Sequence, residues 1–136
     1  MPLYIVQHGK SLSKDVDPDQ GLSSEGTADV KRIADVAKGY HVKVSMIVHS
    51  GKKRARQTAE IYAAALSPKH GISLQSGMGP LDDPIPFSGT LAPEAEMMLV
   101  GHLPFLEKLV SHLVTGSFDR PVFRLQNGGI LCLDQH

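Results

Sequence analysis

The sequence predicts an α/β fold, a three-layer α/β/α sandwich around a largely parallel central sheet. Two observations carry that expectation. Short apolar runs alternate with amphipathic stretches, in the order strand, helix, strand, helix, strand, helix and then two strands. Three of the runs end in glycine- and histidine-bearing segments, at strand ends of the kind where open α/β sheets hold ligands. A length of 136 residues fits one domain, residues 1–136, with no internal repeat and no low-complexity tract.

Each element has a local reason. Residues 3–6, Leu-Tyr-Ile-Val, form a short β-type run that stops at Gln7-His8-Gly9. Residues 10–21 are polar, contain Pro18 and read as a loop. Ser23 or Ser24 caps a helix running to about Lys38. Its Val30, Ile33, Ala34 and Ala37 recur at helical spacing, and Gly39 stops it. Residues 44–48 read as a buried strand ending in His49-Ser50-Gly51. A helix then begins near Lys52 or Lys53, puts Ala55, Ala59, Tyr62 and Leu66 on one face, and closes at Ser67-Pro68. Residues 71–96 are rich in Gly, Pro and Ser, with strand character only at 72–75. Residues 97–100 are a third buried run. Gly101-His102-Leu103-Pro104 follows, then a helix with Phe105, Leu106, Leu109, Val110 and Leu113 on one side. Pro104 stands in the first turn, where proline is tolerated. Residues 122–125 and 130–133 are strand-like, and Asn127-Gly128-Gly129 between them suits a hairpin.

Composition excludes several classes. Lysine plus arginine and aspartate plus glutamate both total 14, so the formal net charge is zero. That argues against a basic nucleic-acid binder. No tryptophan, four Phe and three Tyr leave few platforms for base stacking. Cys132 is the one cysteine, so no intrachain disulfide or multi-cysteine zinc site can form. Its strand-like surroundings point to a buried apolar side chain. The first six residues are too short for a signal peptide, and no run of ~18 apolar residues occurs. The expectation is a cytoplasmic protein with no nucleic-acid or membrane partner, no metal and no cofactor.

The strand-end residues carry the chemistry. A lone histidine after a strand is commonly a hydrogen-bonded loop residue, and Lys52, Lys53, Arg54 and Arg56 could be only a solvated helix start. Yet each cation at a helix N-terminus is disfavoured by ~0.3–1 kcal/mol. Four together suggest an anion that offsets the repulsion, and helix starts bind phosphate through free N–H groups.

Gln7-His8-Gly9, Ser50 through Ala59, and Gly101-His102-Leu103-Pro104, in that order, resemble the histidine phosphatase superfamily, the phosphoglycerate mutase-like fold. The short SixA-type phosphohistidine phosphatases look most similar. Arg54-Ala55-Arg56-Gln57-Thr58-Ala59 meets the family's Arg-Ala-x-Gln-Thr-Ala signature. Leu22-Ser23-Ser24-Glu25-Gly26 looks like its Leu-Thr-x-x-Gly helix start. The resemblance implies that His8 is the nucleophile, that Arg54 clamps the phosphoryl oxygens, and that His102 hydrogen-bonds the group in transfer. Gln7, Gly9, Lys10, Ser11, Ser50 and Lys53 are the candidates for binding substrate around them. The physics agrees: an imidazole nucleophile must be neutral, and phosphoryl transfer is driven mainly by positioning and electrostatic stabilisation. A planar guanidinium suits paired contacts with phosphoryl oxygens.

Two departures matter. The family usually has arginine where Gln7 stands, and an amide brings donors without charge. Three explanations stay open: Lys10, Lys52 or Lys53 supplies the charge, the enzyme is slow, or the site only binds phosphate. Some SixA-like chains carry Gln-His-Gly, which favours the first. Larger members that cleave phosphate esters supply a glutamate acid from an insertion, and this chain has none of useful size; Asp82, Asp83, Glu94 and Glu96 are the carboxylates in the matching stretch. A phosphohistidine substrate relaxes this need, because a protonated imidazole departs more readily than an alkoxide. The expected substrate is therefore a phosphohistidine-bearing protein domain. A small phosphorylated molecule, or a weakly catalytic phosphoprotein-binding role, is the alternative.

Overall fold

The protein is described from a computed structural model covering residues 2–91, 96–116 and 125–133. The strands are β1 (Leu3–Gln7), β2 (Met46–His49), β3 (Ile72–Leu74), β4 (Met97–Gly101) and β5 (Ile130–Leu133). The helices are α1 (Ser24–Gly39), α2 (Lys53–Leu66), α3 (Pro84–Ser88) and α4 (Phe105–Thr115). The sheet order is β3-β2-β4-β1-β5. Pairs β1·β4, β2·β4 and β2·β3 are parallel, and only β1·β5 is antiparallel.

Alternation along the strands splits the core in two. Val6, Ile47, Met98 and Val100 face Val30 and Ala34 of α1 and Ala55, Ala59 and Tyr62 of α2. Ile5, Val48 and Leu99 face the opposite way, toward Phe87 of α3 and Phe105, Leu106, Leu109 and Val110 of α4. With helices on both faces, the central strands carry consecutive apolar residues rather than an alternating pattern, until Gln7 and His49 end β1 and β2. Connection handedness explains the layers. The steps β1 to β2 and β2 to β3 both run toward the β3 edge of the sheet, and β3 to β4 turns back. Right-handed crossovers therefore put α1 and α2 on one face and α3 on the other.

Most expected elements form near their expected bounds, with informative differences. Strand β2 begins at Met46 rather than Val44, although Val44 is buried. Helix α1 includes Gly39, and the left-handed residue beyond it is His41, φ 59°. Helix α3 was not expected; Asp83 caps it by accepting from the Ile85 N–H, with Pro84 at its start. Leu113 does not share the buried side of α4, since the last turn opens to solvent and leaves it 41% exposed. Cys132 is exposed rather than buried. It shares a strand face with Ile130, which packs toward α1 and α2, but lies one pair further along an outer strand. Residues 122–124 of the expected hairpin lie outside the described residues, and Leu125 is in no strand. The described partner of β5 is β1. No helix among the described residues is long and apolar enough to cross a membrane.

Inserting β4 between β2 and β1 is what builds the site. Gln7 registers with Gly101, and His49 with Val100. The carboxyl ends of three strands thus lie side by side, and His8, Ser50 and His102 each follow one of them.

Candidate active site

His8 leaves β1 with its backbone N–H on the Gly101 carbonyl at 3.0 Å. Its Nδ1 lies 2.7 Å from the Gly9 carbonyl oxygen. A carbonyl only accepts, so Nδ1 carries the proton and Nε2 keeps the lone pair. Burial lowers the His8 pKa; the Gly9 bond opposes that shift, and the positive charge of Arg54 adds to it. His8 is thus held as a neutral imidazole with one defined free nitrogen.

His102 faces it, with ring centroids 5.0 Å apart and planes tilted by 53°. Its Nε2 lies 2.6 Å from Ser50 Oγ, while its Nδ1 is buried with no hydrogen-bond partner among the described residues. Burial, then the charges of His8, Arg54 and Lys52, push its pKa down to about 3. The His102 carbonyl accepts from Leu106 N–H at 2.9 Å, so the same residue turns the chain into α4.

Arg54 stands in the first turn of α2, where no side chain caps the helix and no acidic residue offsets its dipole. Among the described residues its guanidinium makes no hydrogen bond or ion pair, and burial lowers its pKa. A half-buried, unpaired guanidinium at a helix N-terminus beside two neutral imidazoles attracts an anion.

The residues around Arg54 show why its motif has that spacing. Ala55 and Ala59 are fully buried against the sheet and α1. Gln57 accepts the Leu22 N–H at 2.7 Å. Thr58 donates to the Arg54 carbonyl at 2.8 Å and accepts the Gly9 N–H at 3.0 Å. Gln57 ties α2 to the approach to α1, and Thr58 ties it to the loop after His8. The helix start at residues 22–26 completes the clamp. Ser23 Oγ accepts from Gly26 N–H, and Ser23 N–H donates to the Lys10 carbonyl at 2.9 Å. Gly26 is required because a Cβ there would collide with the Lys10 backbone.

The expected binding residues divide into two groups. Gly9, Ser50, His8, Arg54 and His102 come together. Lys10 is turned to Glu25 at 3.0 Å, and Lys53 to Asp17 at 2.9 Å. Ser11 bridges its backbone to Leu22. The Gln7 amide faces the segment before β5 in either orientation. Its Nε2 donates to Asn127 Oδ1 at 2.9 Å in one, and to the carbonyls of Leu125 and Gln126 at 3.1 and 3.2 Å in the other. Lys52, weighed in the sequence only as a source of charge, is the lysine whose field reaches His102. Thr58 and Gln57 were visible only as letters of the motif, because their partners are remote in sequence. His49 accepts the Gly51 N–H at 3.1 Å and so shapes the turn into α2, where Gly51 has φ +94°.

Asp82 accepts from the Gly79 N–H at 2.7 Å, and Asp83 caps α3. Both carboxylates are occupied as acceptors in local turns. Glu94 lies outside the described residues.

A sequence profile for the histidine phosphatase superfamily (branch 1) matches residues 3–75. An uncharacterized protein of Picosynechococcus sp. is 31% identical, over 98% of this chain and 84% of its own. Among solved structures, the protein histidine phosphatase SixA complexed with tungstate superposes with a TM-score of 0.79 at 23% identity, covering 98% of this chain and 94% of that one. A chain from Agrobacterium tumefaciens assigned as the phosphohistidine phosphatase SixA gives 0.78 at 24% identity, covering 98% and 91%. A mycobacterial glucosyl-3-phosphoglycerate phosphatase in complex with VO3 gives 0.75 at 15% identity, covering 99% and 91%. At these identities the structural likeness establishes the shared fold.

Proposed function

The chain is a phosphatase of the histidine phosphatase superfamily, and from that premise we propose that it removes phosphate from phosphohistidine in a partner protein, through a phospho-His8 intermediate. The observation that carries this is the 2.7 Å contact of His8 Nδ1 with the Gly9 carbonyl, which leaves Nε2 as the nucleophilic atom.

In this reading His8 Nε2 attacks phosphorus as the substrate P–N bond breaks. The departing imidazole leaves neutral, since its other nitrogen already carries a proton. Arg54 pairs with the equatorial oxygens, and the free N–H groups at the start of α2 add donors where charge accumulates. On the other side, neutral His102 donates its Nε2–H to Ser50 Oγ, which leaves the Ser50 hydroxyl proton free to donate to a phosphoryl oxygen. Water then attacks phospho-His8, phosphate departs, and neutral His8 returns.

Phosphohistidine is favoured over a phosphate ester by the state of Asp82 and Asp83, the two aspartates in the stretch that would supply the acid of the larger members. An alkoxide leaving group needs a proton donor, and Asp82 and Asp83 are engaged as acceptors in their own turns.

The test is to trap and map the phosphoenzyme with a labile phosphoryl donor such as phosphoramidate, then compare turnover of a phosphohistidine protein with that of sugar phosphates. The expected result is label on His8, higher kcat/KM on phosphohistidine, and no label in His8→Ala. Full activity in His8→Ala overturns the intermediate; a preference for sugar phosphates assigns the site to small esters.

A further inference from the structure

Beside Arg54 opens a groove larger than a phosphoryl group fills. It encloses about 960 Å³ between the loop bearing Lys14 and Gln20 and the segment from Gly79 to Asp82. Five cations line it, Lys14, Lys52, Lys53, Arg54 and Arg56, against two acids, Asp19 and Asp82. Lys53 is compensated by Asp17, and Asp82 is engaged by Gly79. Arg56 is only loosely met by Glu60 at 4.0 Å. Lys14 and Lys52 are exposed and meet no carboxylate among the described residues. The zero net charge of the chain therefore hides a positive channel that ends at the catalytic arginine.

The groove also has an apolar margin. Leu81 lines it and is 89% exposed. Leu74, 62% exposed, lies over Gly51, where an added Cβ would sit 2.8 Å from its Cδ1. A single exposed leucine needs no explanation. Two beside a cationic groove next to a phosphoryl pocket make a mixed surface. A small bisphosphate would use the cations, but it has no apolar group to set against Leu81 or Leu74. A polypeptide can satisfy both.

We propose that this groove docks the segment flanking the phosphohistidine of the partner protein, and that it selects acidic residues interspersed with an apolar one. The proposal rests on the phosphohistidine reading and names what surrounds the phosphorylated residue. Charge at such a rim acts mainly on encounter rate and selectivity, and salt weakens it.

Two synthetic peptides test it, both with a central phosphohistidine, one flanked by Glu and Leu and the other by Lys and Ser. The acidic peptide is expected to have a kcat/KM higher by about tenfold, with the gap narrowing at high salt. The exposed pair Lys14→Glu and Leu81→Glu, combined, is expected to erase the preference and leave phosphoramidate turnover unchanged. Equal kcat/KM for the two peptides, or a preference that survives the double variant, overturns the proposal. If neither phosphopeptide nor phosphoramidate turns over, it is the phosphohistidine reading that fails. The groove is then read by fluorescence anisotropy of the unphosphorylated peptides. Tighter binding of the acidic one, lost in the double variant, upholds the docking surface, and equal binding overturns it.

Discussion

The proposed mechanism makes His8 the nucleophile; an imidazole in that role is useless once protonated, and His8 is protected from that in two ways. Burial and Arg54 lower its pKa, and the Gly9 carbonyl fixes which nitrogen stays bare. The sign follows directly: a pKa below the ordinary 6.5 keeps His8 neutral as pH falls through 6.5. Phosphoenzyme formation is expected to hold its plateau below pH 6.5 and to decline only in more acid solution, read by rapid-quench labelling across pH. A half-maximal rate at or above 6.5 would contradict the burial argument. Gln7 makes the second residue-scale case. Its amide is spent on the Leu125–Asn127 segment, so the charge of the missing arginine is not replaced at that position. A longer guanidinium has donors enough for those carbonyls and a phosphoryl oxygen. Gln7→Arg is therefore expected to retain or raise kcat/KM. A large loss would show that the glutamine's bonds to this segment themselves shape the pocket.

Helix α2 does more than present Arg54. Through Gln57 and Thr58 it holds both the approach to α1 and the loop after His8. The Thr58 hydroxyl is fully buried and uses its proton on Arg54, so it can accept from Gly9 only with a lone pair. Valine has the same shape and no acceptor. Thr58→Val should leave the Gly9 N–H unpaired, costing about 1–3 kcal/mol of stability. Displacing the loop should also lower kcat more than it raises KM. Urea unfolding and steady-state kinetics on the same variant separate the two effects, and an unchanged kcat would assign Thr58 to stability alone.

At the scale of the whole molecule, the fold stores three histidines in their neutral form. His8, His49 and His102 all have pKa values lowered first by burial. The unfolded chain takes up protons near pH 6.5, and the folded chain takes them up only at lower pH. The unfolded state thus binds more protons in that window, and stability falls as pH drops below about 6.5. A second loss follows at lower pH. Asp17, whose pKa Lys53 and the Gly21 and Asp19 N–H groups hold at about 2, stabilises the fold above its ordinary 3.8, and that contribution disappears toward pH 2. Urea midpoints measured from neutral to acid pH should decline in the upper window first. A midpoint constant between pH 7 and 5 would count against buried neutral histidines.

The sequence by itself determined the alternating elements, the fold class, the family, and the order of the three strand-end motifs. Those follow from local periodicity and from residue types that only certain chemistry requires. Neighbours within a few residues also narrowed the α1 cap to Ser23 or Ser24, and the structure takes Ser23. The tertiary structure alone decided what depends on remote partners. It turned Lys10 and Lys53 to Glu25 and Asp17, left Lys52 near enough for its charge to act on His102, gave Thr58 to Gly9, and exposed Cys132 and Leu113. It also brought His8 and His102 together, because β4 enters the sheet between β2 and β1, a placement that strand order sets and no local pattern encodes. Charge and burial are properties of where a side chain ends up, so a chain of zero net charge can present a cationic groove beside buried neutral imidazoles.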